Sequence, residues 1–229
     1  MTRNVGRDVW VWILLPLMIV ALYLNFLGSP DDRILGASQR IFYFHMATAT
    51  VAGIALTVTA IASGLYLLTR RLVYDHWAAA SAEIGTLFTT MLLVTGVLWG
   101  RAAWGVWWTW DPRLTATVIL WVLFFAYLLV REWTDSVERR ARTSALLALA
   151  AYIDVPIDYM TIRWWKSIHP VVITTHGINM APSMIWAMFG SLVVMVLIYV
   201  AWMQLRLRLI VAETGISQMK ALLRQHMSR

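Results

Sequence analysis

Six stretches of this chain run almost without charge, over residues 9–27, 44–68, 78–98, 116–130, 144–157 and 182–202. Amphipathic helices and strands of soluble proteins alternate apolar with polar residues and do not give such runs. Crossing the hydrocarbon takes about 20 residues at about 1.5 Å each, which most of these stretches supply and which the fourth and fifth reach with their flanks. Only 14% of the 229 residues are charged, well under the roughly 25% of an ordinary soluble domain. The fold class predicted is all-α, a polytopic membrane protein of about six helices. The first run is too long for the core of a signal peptide, and no small-residue cleavage site follows "LNFLGSPDD", so it is expected to remain as a span.

Basic residues set the orientation. Thirteen of the nineteen Lys and Arg fall at the N-terminus, in the loops around Arg70–Arg71 and 131–142, and in the tail. The other six are Arg33, Arg40, Arg101, Arg113, Arg163 and Lys166. Both termini are therefore expected in the cytoplasm, with one six-span domain over 1–203, an outward loop at 99–115, and a basic cytoplasmic tail over 204–229. The net charge of +7 is accounted for by this bias, and no nucleic-acid partner is expected. With no cysteine, disulfides, thiolate catalysis, zinc–cysteine sites and covalent haem attachment are excluded. No phosphate-binding G-x-x-x-x-G-K-[ST] loop is present, so any ATP dependence has to come from another chain. No catalytic residue is assigned, and the chain is not expected to be an enzyme.

Three segments face outward. In the first, "SPDD" offers Ser29 as an N-cap, Pro30 at the first helical position and two acids in the first turn, which predicts a short surface helix. The second, "WGRAAWGVWWTWDPRLT", holds five of the fourteen tryptophans. If it is helical, Trp104, Trp107, Trp108 and Trp110 share one broad face. An interfacial aromatic belt explains dispersed residues such as Trp10, Trp77, Trp133 and Trp202, but explains a packed cluster poorly. In the same segment Asp111 is placed as the N-cap of the fourth span with Pro112 at its first position, and Arg101 and Arg113 flank the cluster. The third segment, "YMTIRWWKSIHPVVITTHGINMA", is aromatic and carries His169 and His176. His45 stands at the outer end of the second span.

Imidazole is the commonest metal ligand, and one histidine from each of two segments suffices to hold a metal between them. Their bland alternatives are an interfacial histidine at 45, a loop residue before Pro170 at 169, and turn chemistry before a glycine at 176. Asp154 and Asp158, four apart around Pro156, are either functional or paired with Arg163 or water. An aromatic platform, two outward imidazoles and nearby arginines suit a flat apolar ligand with a metal at its centre and carboxylates at one edge, which describes haem.

These residues also carry a resemblance. "WGVWWTWDPRLT" resembles the tryptophan-rich WWD signature of haem-handling membrane proteins, and with six spans and this length the chain resembles the haem exporter protein C family (CcmC). "RIFYFHMA" is similar to the family's segment bearing its first essential histidine, which falls on His45. "VPIDYMTIRWWKSIHP" is similar to the stretch bearing the second, which falls on His169, with Pro156, Trp164 and Trp165 in register. The chain departs from the family with His-Met-Ala after the first histidine, Asp158 at an apolar position, and Arg113 where larger relatives carry an acid. The resemblance implies non-covalent, transient haem b with His45 and His169 on the iron. Trp104, Trp107, Trp108, Trp110, Asp111, Arg101, Arg113, Trp164 and Trp165 would surround it. It also implies location in a bacterial inner membrane and presentation of haem to a periplasmic haem chaperone during c-type cytochrome biogenesis, in a complex with an ABC-type ATPase, its membrane subunits and a small single-span subunit. The rival reading is a bis-histidine cytochrome b subunit that transfers electrons, which places its histidines within the spans at facing depths. A third, a scaffold with a purely interfacial belt, binds no haem.

Overall fold

The computed structural model describes residues 5–169, 173–174, 177–178 and 180–227. It is a bundle of seven helices: α1 (Val5–Phe26), α2 (Gln39–Thr69), α3 (Leu72–Trp104), α4 (Pro112–Glu132), α5 (Val137–Tyr152), α6 (Asp154–Trp164) and α7 (Pro182–Met227). Between α6 and α7 a minimal antiparallel ribbon pairs β1 (Ile173–Thr174) with β2 (Gly177–Ile178). Five segments are long and apolar enough to cross a membrane, one being α5 and α6 taken together, and the apolar part of α1 is a shorter sixth. The chain is a multi-pass helical membrane protein.

The fifth span is interrupted between Tyr152 and Asp154. Pro156 is the cause: it has no N–H to offer the carbonyl of Tyr152, and its ring crowds that carbonyl. The last span and the basic tail are one helix, since α7 continues unbroken past Trp202 to Met227.

α2 and α3 form the centre of the bundle. α7 packs on α1, α2 and α3, while α5 lies against α2 and α4, and α6 against α4. Small residues permit the close approach of α2 and α3: Ala52, Ala55, Ala80 and Ala82 are buried at the contact. In lipid such surfaces associate by packing and interhelical hydrogen bonds rather than by hydrophobic burial. Ser81 supplies one, donating to the Ala55 carbonyl at 2.7 Å and meeting the Tyr199 hydroxyl at 2.8 Å. At the end of the bundle where α3 begins, Arg131 makes a two-pronged ion pair with buried Asp75 at 2.6 and 3.0 Å, tying α4 to α3. Loops 27–38, 105–111 and 165–181 connect the helix ends opposite to that one.

The surface helix expected at "SPDD" is absent. Ser29 does not cap; it is buried, with its hydroxyl 2.8 Å from that of Tyr43. The Asp32 carboxylate instead accepts from the N–H groups of Ile34 and Leu35 at 2.8 and 2.9 Å, and Asp32 and Gly36 exchange backbone hydrogen bonds. An aspartate that satisfies the amides two and three residues ahead closes a turn in place of a helix.

Candidate functional site

The aromatic loop is split by one glycine. Gly105 takes the left-handed conformation, φ 75°, as the C-cap of α3, and its N–H bonds back to the Arg101 carbonyl. A residue with no Cβ makes that turn at no steric cost. Helix therefore ends at Trp104, and the single helical face expected for Trp104, Trp107, Trp108 and Trp110 does not form. Trp104 turns inward, with its ring edge-on to Trp99 at 5.1 Å and to His169 at 4.9 Å. Trp99 in turn meets Phe42 at 5.7 Å. Trp108 stands edge-on to Trp110 at 5.7 Å, and the guanidinium of Arg101 lies over Trp107, 5.6 Å from the ring centre. Arg101 also hydrogen-bonds the Gly105 carbonyl. Trp107 and Trp110 are 58% and 77% exposed. Trp164 and Trp165 form a second exposed edge-on pair at 5.8 Å.

Asp111 holds the other end of the loop. Its carboxylate caps α4 by accepting from the Arg113 N–H at 3.0 Å, with Pro112 opening the helix. It also accepts from the Ile168 N–H at 2.9 Å and from the Ser167 hydroxyl at 3.1 Å, and Nδ1 of His169 lies 3.1 Å away. One 8% exposed carboxylate thus ties the start of α4 to the loop after α6. Burial works to raise its pKa, but the hydrogen bonds from Ile168, Ser167 and Arg113, together with His169, hold it below the ordinary 3.8. It is ionised at neutral pH and can only accept, so Nδ1 of His169 carries the proton and Nε2 the lone pair. Burial is also the largest influence on His169 and holds its pKa below the ordinary 6.5 against the pull of Asp111. The neutral form of the ring is favoured.

His45 has the same polarity by a different route. Its Nδ1 is 3.0 Å from the Thr95 hydroxyl on α3. That hydroxyl already donates its one hydrogen to backbone carbonyls, Met91 at 2.8 Å and Leu92 at 3.2 Å. It is left to accept from Nδ1–H, and Nε2 of His45 bears the lone pair. Gly96 makes the fit possible, because a Cβ there would come 3.1 Å from Cε1 of the imidazole.

The two histidines line one cavity of about 220 Å³, with Phe42, Trp99, Arg113 and Asp158 among its walls. Asp158 is held there by the Thr117 hydroxyl at 2.9 Å. Its partner in sequence, Asp154, does not share this cavity, and Oδ2 of Asp154 is buried with no hydrogen-bond partner among the described residues. Arg163 stacks over Tyr159 at 4.7 Å. His176 lies outside the described residues. Among those described, no group of three His, Asp or Glu side chains is arranged for a metal ion. Among the described residues the cavity thus offers two imidazoles, His45 and His169, each with Nε2 left unprotonated, enough for a metal whose other positions arrive filled.

Of the residues singled out from the sequence, the structure brings His45, His169 and Arg113 to one cavity, with Trp104 and Asp111 against His169. Trp107, Trp110, Trp164 and Trp165 are exposed and do not line that cavity. Phe42, Thr95, Gly96 and Ser167 were missed. None carries a signal of its own, since each matters only through a partner on another element.

Fold and site together define a multi-pass membrane protein with a bis-imidazole, aromatic-walled cavity at one end of its bundle. The family model described as heme exporter protein C matches residues 3–222. The chain belongs to the heme exporter protein C family. It is 37% identical over 153 residues to a heme exporter protein C of Bradyrhizobium diazoefficiens, covering 67% of this chain and 58% of that protein. To the protein of the same name from Escherichia coli K12 it is 30% identical over 160 residues, covering 70% and 60%. A putative cytochrome c biosynthesis ccmC-like mitochondrial protein of Arabidopsis thaliana is 35% identical over 175 residues, covering 76% and 65%. The match thus spans less than two thirds of the length of each of these relatives.

Proposed function

We propose that this chain binds haem between His45 and His169 at the periplasmic face of a bacterial inner membrane and presents it to a periplasmic haem chaperone during c-type cytochrome biogenesis. Its partners on this reading are an ABC-type ATPase, that complex's membrane subunits and a small single-span subunit. The observation that carries the proposal is the shared polarity of the two imidazoles: Asp111 and Thr95 each accept a hydrogen bond from Nδ1–H, leaving the Nε2 lone pair of both cavity-lining histidines for a metal. Ligating histidines are oriented this way by acceptors behind them. Haem iron brings four equatorial nitrogens, so two axial imidazoles complete its coordination. The Arg113 guanidinium in the cavity wall suits a propionate, and Trp104 and Trp99 present apolar ring surface to the porphyrin.

The cavity of about 220 Å³ falls below the roughly 300–1,000 Å³ of small-molecule pockets. A tetrapyrrole exceeds it, so part of the ligand stays outside the enclosed volume, within reach of a partner. His45 lies in the second turn of α2 and His169 in a loop, at one end of the bundle. That placement favours a carrier over an electron-transfer cytochrome with ligands at facing depths within the spans.

Absorption spectra of the purified protein and its variants test the reading. The wild type should show a bis-imidazole Soret and α/β pattern whose haem is fully removed by acid–acetone. His45→Ala and His169→Ala should each alter the band or lower haem content, and His176→Ala should leave both near normal. A normal His169→Ala spectrum beside a lost one for His176→Ala would refute the ligand pair.

A further inference from the structure

At the opposite, arginine-rich end of the bundle a groove of about 680 Å³ opens between the end of α2 and the start of α5. Arg70, Arg139 and Arg142 line it, with Glu138 the one acid, so its walls carry an excess of positive charge. An excess of arginine alone is what the positive-inside bias gives. Four further features set this concavity apart.

Arg70 is the C-cap of α2 and sits at φ 58°, the one non-glycine with positive φ among the described residues. A bulky residue there is uncommon, and the conformation fixes where its side chain leaves the backbone. Ser136, the N-cap of α5, makes no side-chain capping bond. Ser136 lines the groove, and the first amides of the sixteen-residue helix behind it receive no side-chain cap. Tyr66, only 3% exposed and packed against Ala141 and Ala145, reaches the groove with a hydroxyl that has no hydrogen-bond partner among the described residues. Neither Arg139 nor Arg142 is ion-paired among the described residues, and Glu138 is not paired with them. Three cations, a hydroxyl donor and a helix N-terminus thus converge on a groove whose single acid, Glu138 in the first turn of α5, pairs with neither Arg139 nor Arg142 among the described residues and leaves the walls net positive.

We infer that this groove binds a phosphate-bearing anion, the headgroup of an acidic phospholipid of the adjoining leaflet. The level is right for a headgroup, because exposed Leu68 and exposed Trp133, the C-cap of α4, flank the same end of the bundle. Tryptophan marks the boundary between acyl chains and headgroups, and an exposed leucine beside it suits the acyl-chain side of that boundary. Basic pockets between helices at that boundary take lipid phosphates. The arginines supply charge, while Tyr66 and Ser136 supply directed donors that distinguish a seated phosphate from a diffuse counterion cloud.

The test uses the purified full-length chain, delipidated in a non-ionic detergent, with bound lipid counted by native mass spectrometry. Mixed micelles contain phosphatidylglycerol or phosphatidylcholine, and a separate arm contains inorganic phosphate alone. Phosphatidylglycerol should bind on the order of tenfold more tightly than phosphatidylcholine, and Arg139→Gln with Arg142→Gln should abolish the preference. Tyr66→Phe, which keeps the packed ring, should weaken phosphatidylglycerol by roughly three- to tenfold. It also serves as the reading if the double variant fails to fold. The pair Arg208→Gln with Lys220→Gln on α7 removes equal charge outside the groove and should change nothing. Equal losses in both charge-removing pairs, no effect of Tyr66→Phe, or displacement of the lipid by millimolar inorganic phosphate would each overturn the assignment.

Discussion

Asp111 is where fold and ligand geometry meet, so its replacement separates the two. Asp111→Ala removes the cap of α4, worth about 1 kcal/mol. It also strips acceptors from the Ile168 N–H, the Ser167 hydroxyl and His169 Nδ1. Hydrogen bonds to a charged acceptor contribute about 1.5–3 kcal/mol each, but four that share one carboxylate do not add. A loss of about 3–5 kcal/mol is expected, which for a chain of this length lowers the unfolding midpoint by roughly 6–20 °C. Asp111→Asn keeps Oδ1 for Arg113, Ser167 and His169 and turns its amide onto the Ile168 N–H. Only one bond is lost, about 1.5–3 kcal/mol or roughly 3–12 °C. The assay is thermal unfolding in detergent followed by intrinsic fluorescence, with the haem spectrum recorded on the same samples. Asn should retain a shifted bis-imidazole spectrum that Ala loses, because Asn still accepts from Nδ1–H. Equal midpoints for Asn and Ala would refute the capping and acceptor account and leave the charge alone as what matters. An unchanged spectrum in Ala would refute the claim that Asp111 sets the His169 tautomer.

Thr95→Val, near in volume but with no acceptor, should weaken haem retention by roughly three- to tenfold with protein levels unchanged, while Thr95→Ser restores it; spectral titration with haem reads both. The folded state holds His169 below its ordinary pKa of 6.5, so below that pH the unfolded chain binds more protons and stability falls as acid is added. The haem-free protein should therefore be more stable at pH 7.5 than at 5.5, with His169→Gln flattening the slope; Asp111, held below 3.8, keeps its contribution until the pH drops beneath that value. Replacing Trp107 and Trp110 by leucine together should leave membrane levels near normal but reduce haem per protein and adduct formed with the chaperone; normal haem and adduct would return both residues to an interfacial role.

The spans were legible because each is long, apolar and nearly uncharged, a pattern that requires no knowledge of partners. The interruption of the fifth was legible in principle from Pro156 alone. What failed were the readings where local and long-range demands compete for the same side chain. Ser29 has the chemistry of a cap but is bonded to Tyr43 fourteen residues on, and the turn passes to Asp32. Asp111 was read correctly as a cap, yet three of its four bonded partners lie 56 to 58 residues away. Thr95 is the clearest case. Thr86, Thr89 and Thr90 make the same back-bond to the carbonyl four residues earlier on α3, and nothing in the sequence marks the one that faces His45.

The tryptophans of this loop fall into two groups, divided at Gly105. Trp104 packs edge-on against His169 and is itself backed edge-on by Trp99, which orients the imidazole ring. Trp107 and Trp110 are left largely in the open, each with on the order of 150–250 Å² of surface, about 4–6 kcal/mol gross if covered completely. That energy is absent from the unliganded fold and is recovered only against something that covers the rings. Part of it is offset by the ordering of the loop that carries them. On the proposed function, a porphyrin too large for the enclosed cavity meets the inner wall through its iron and the outer rim through its apolar faces. Moving the rim then withdraws much of the contact without disturbing either imidazole, which is how a site can hold a ligand firmly and still give it up.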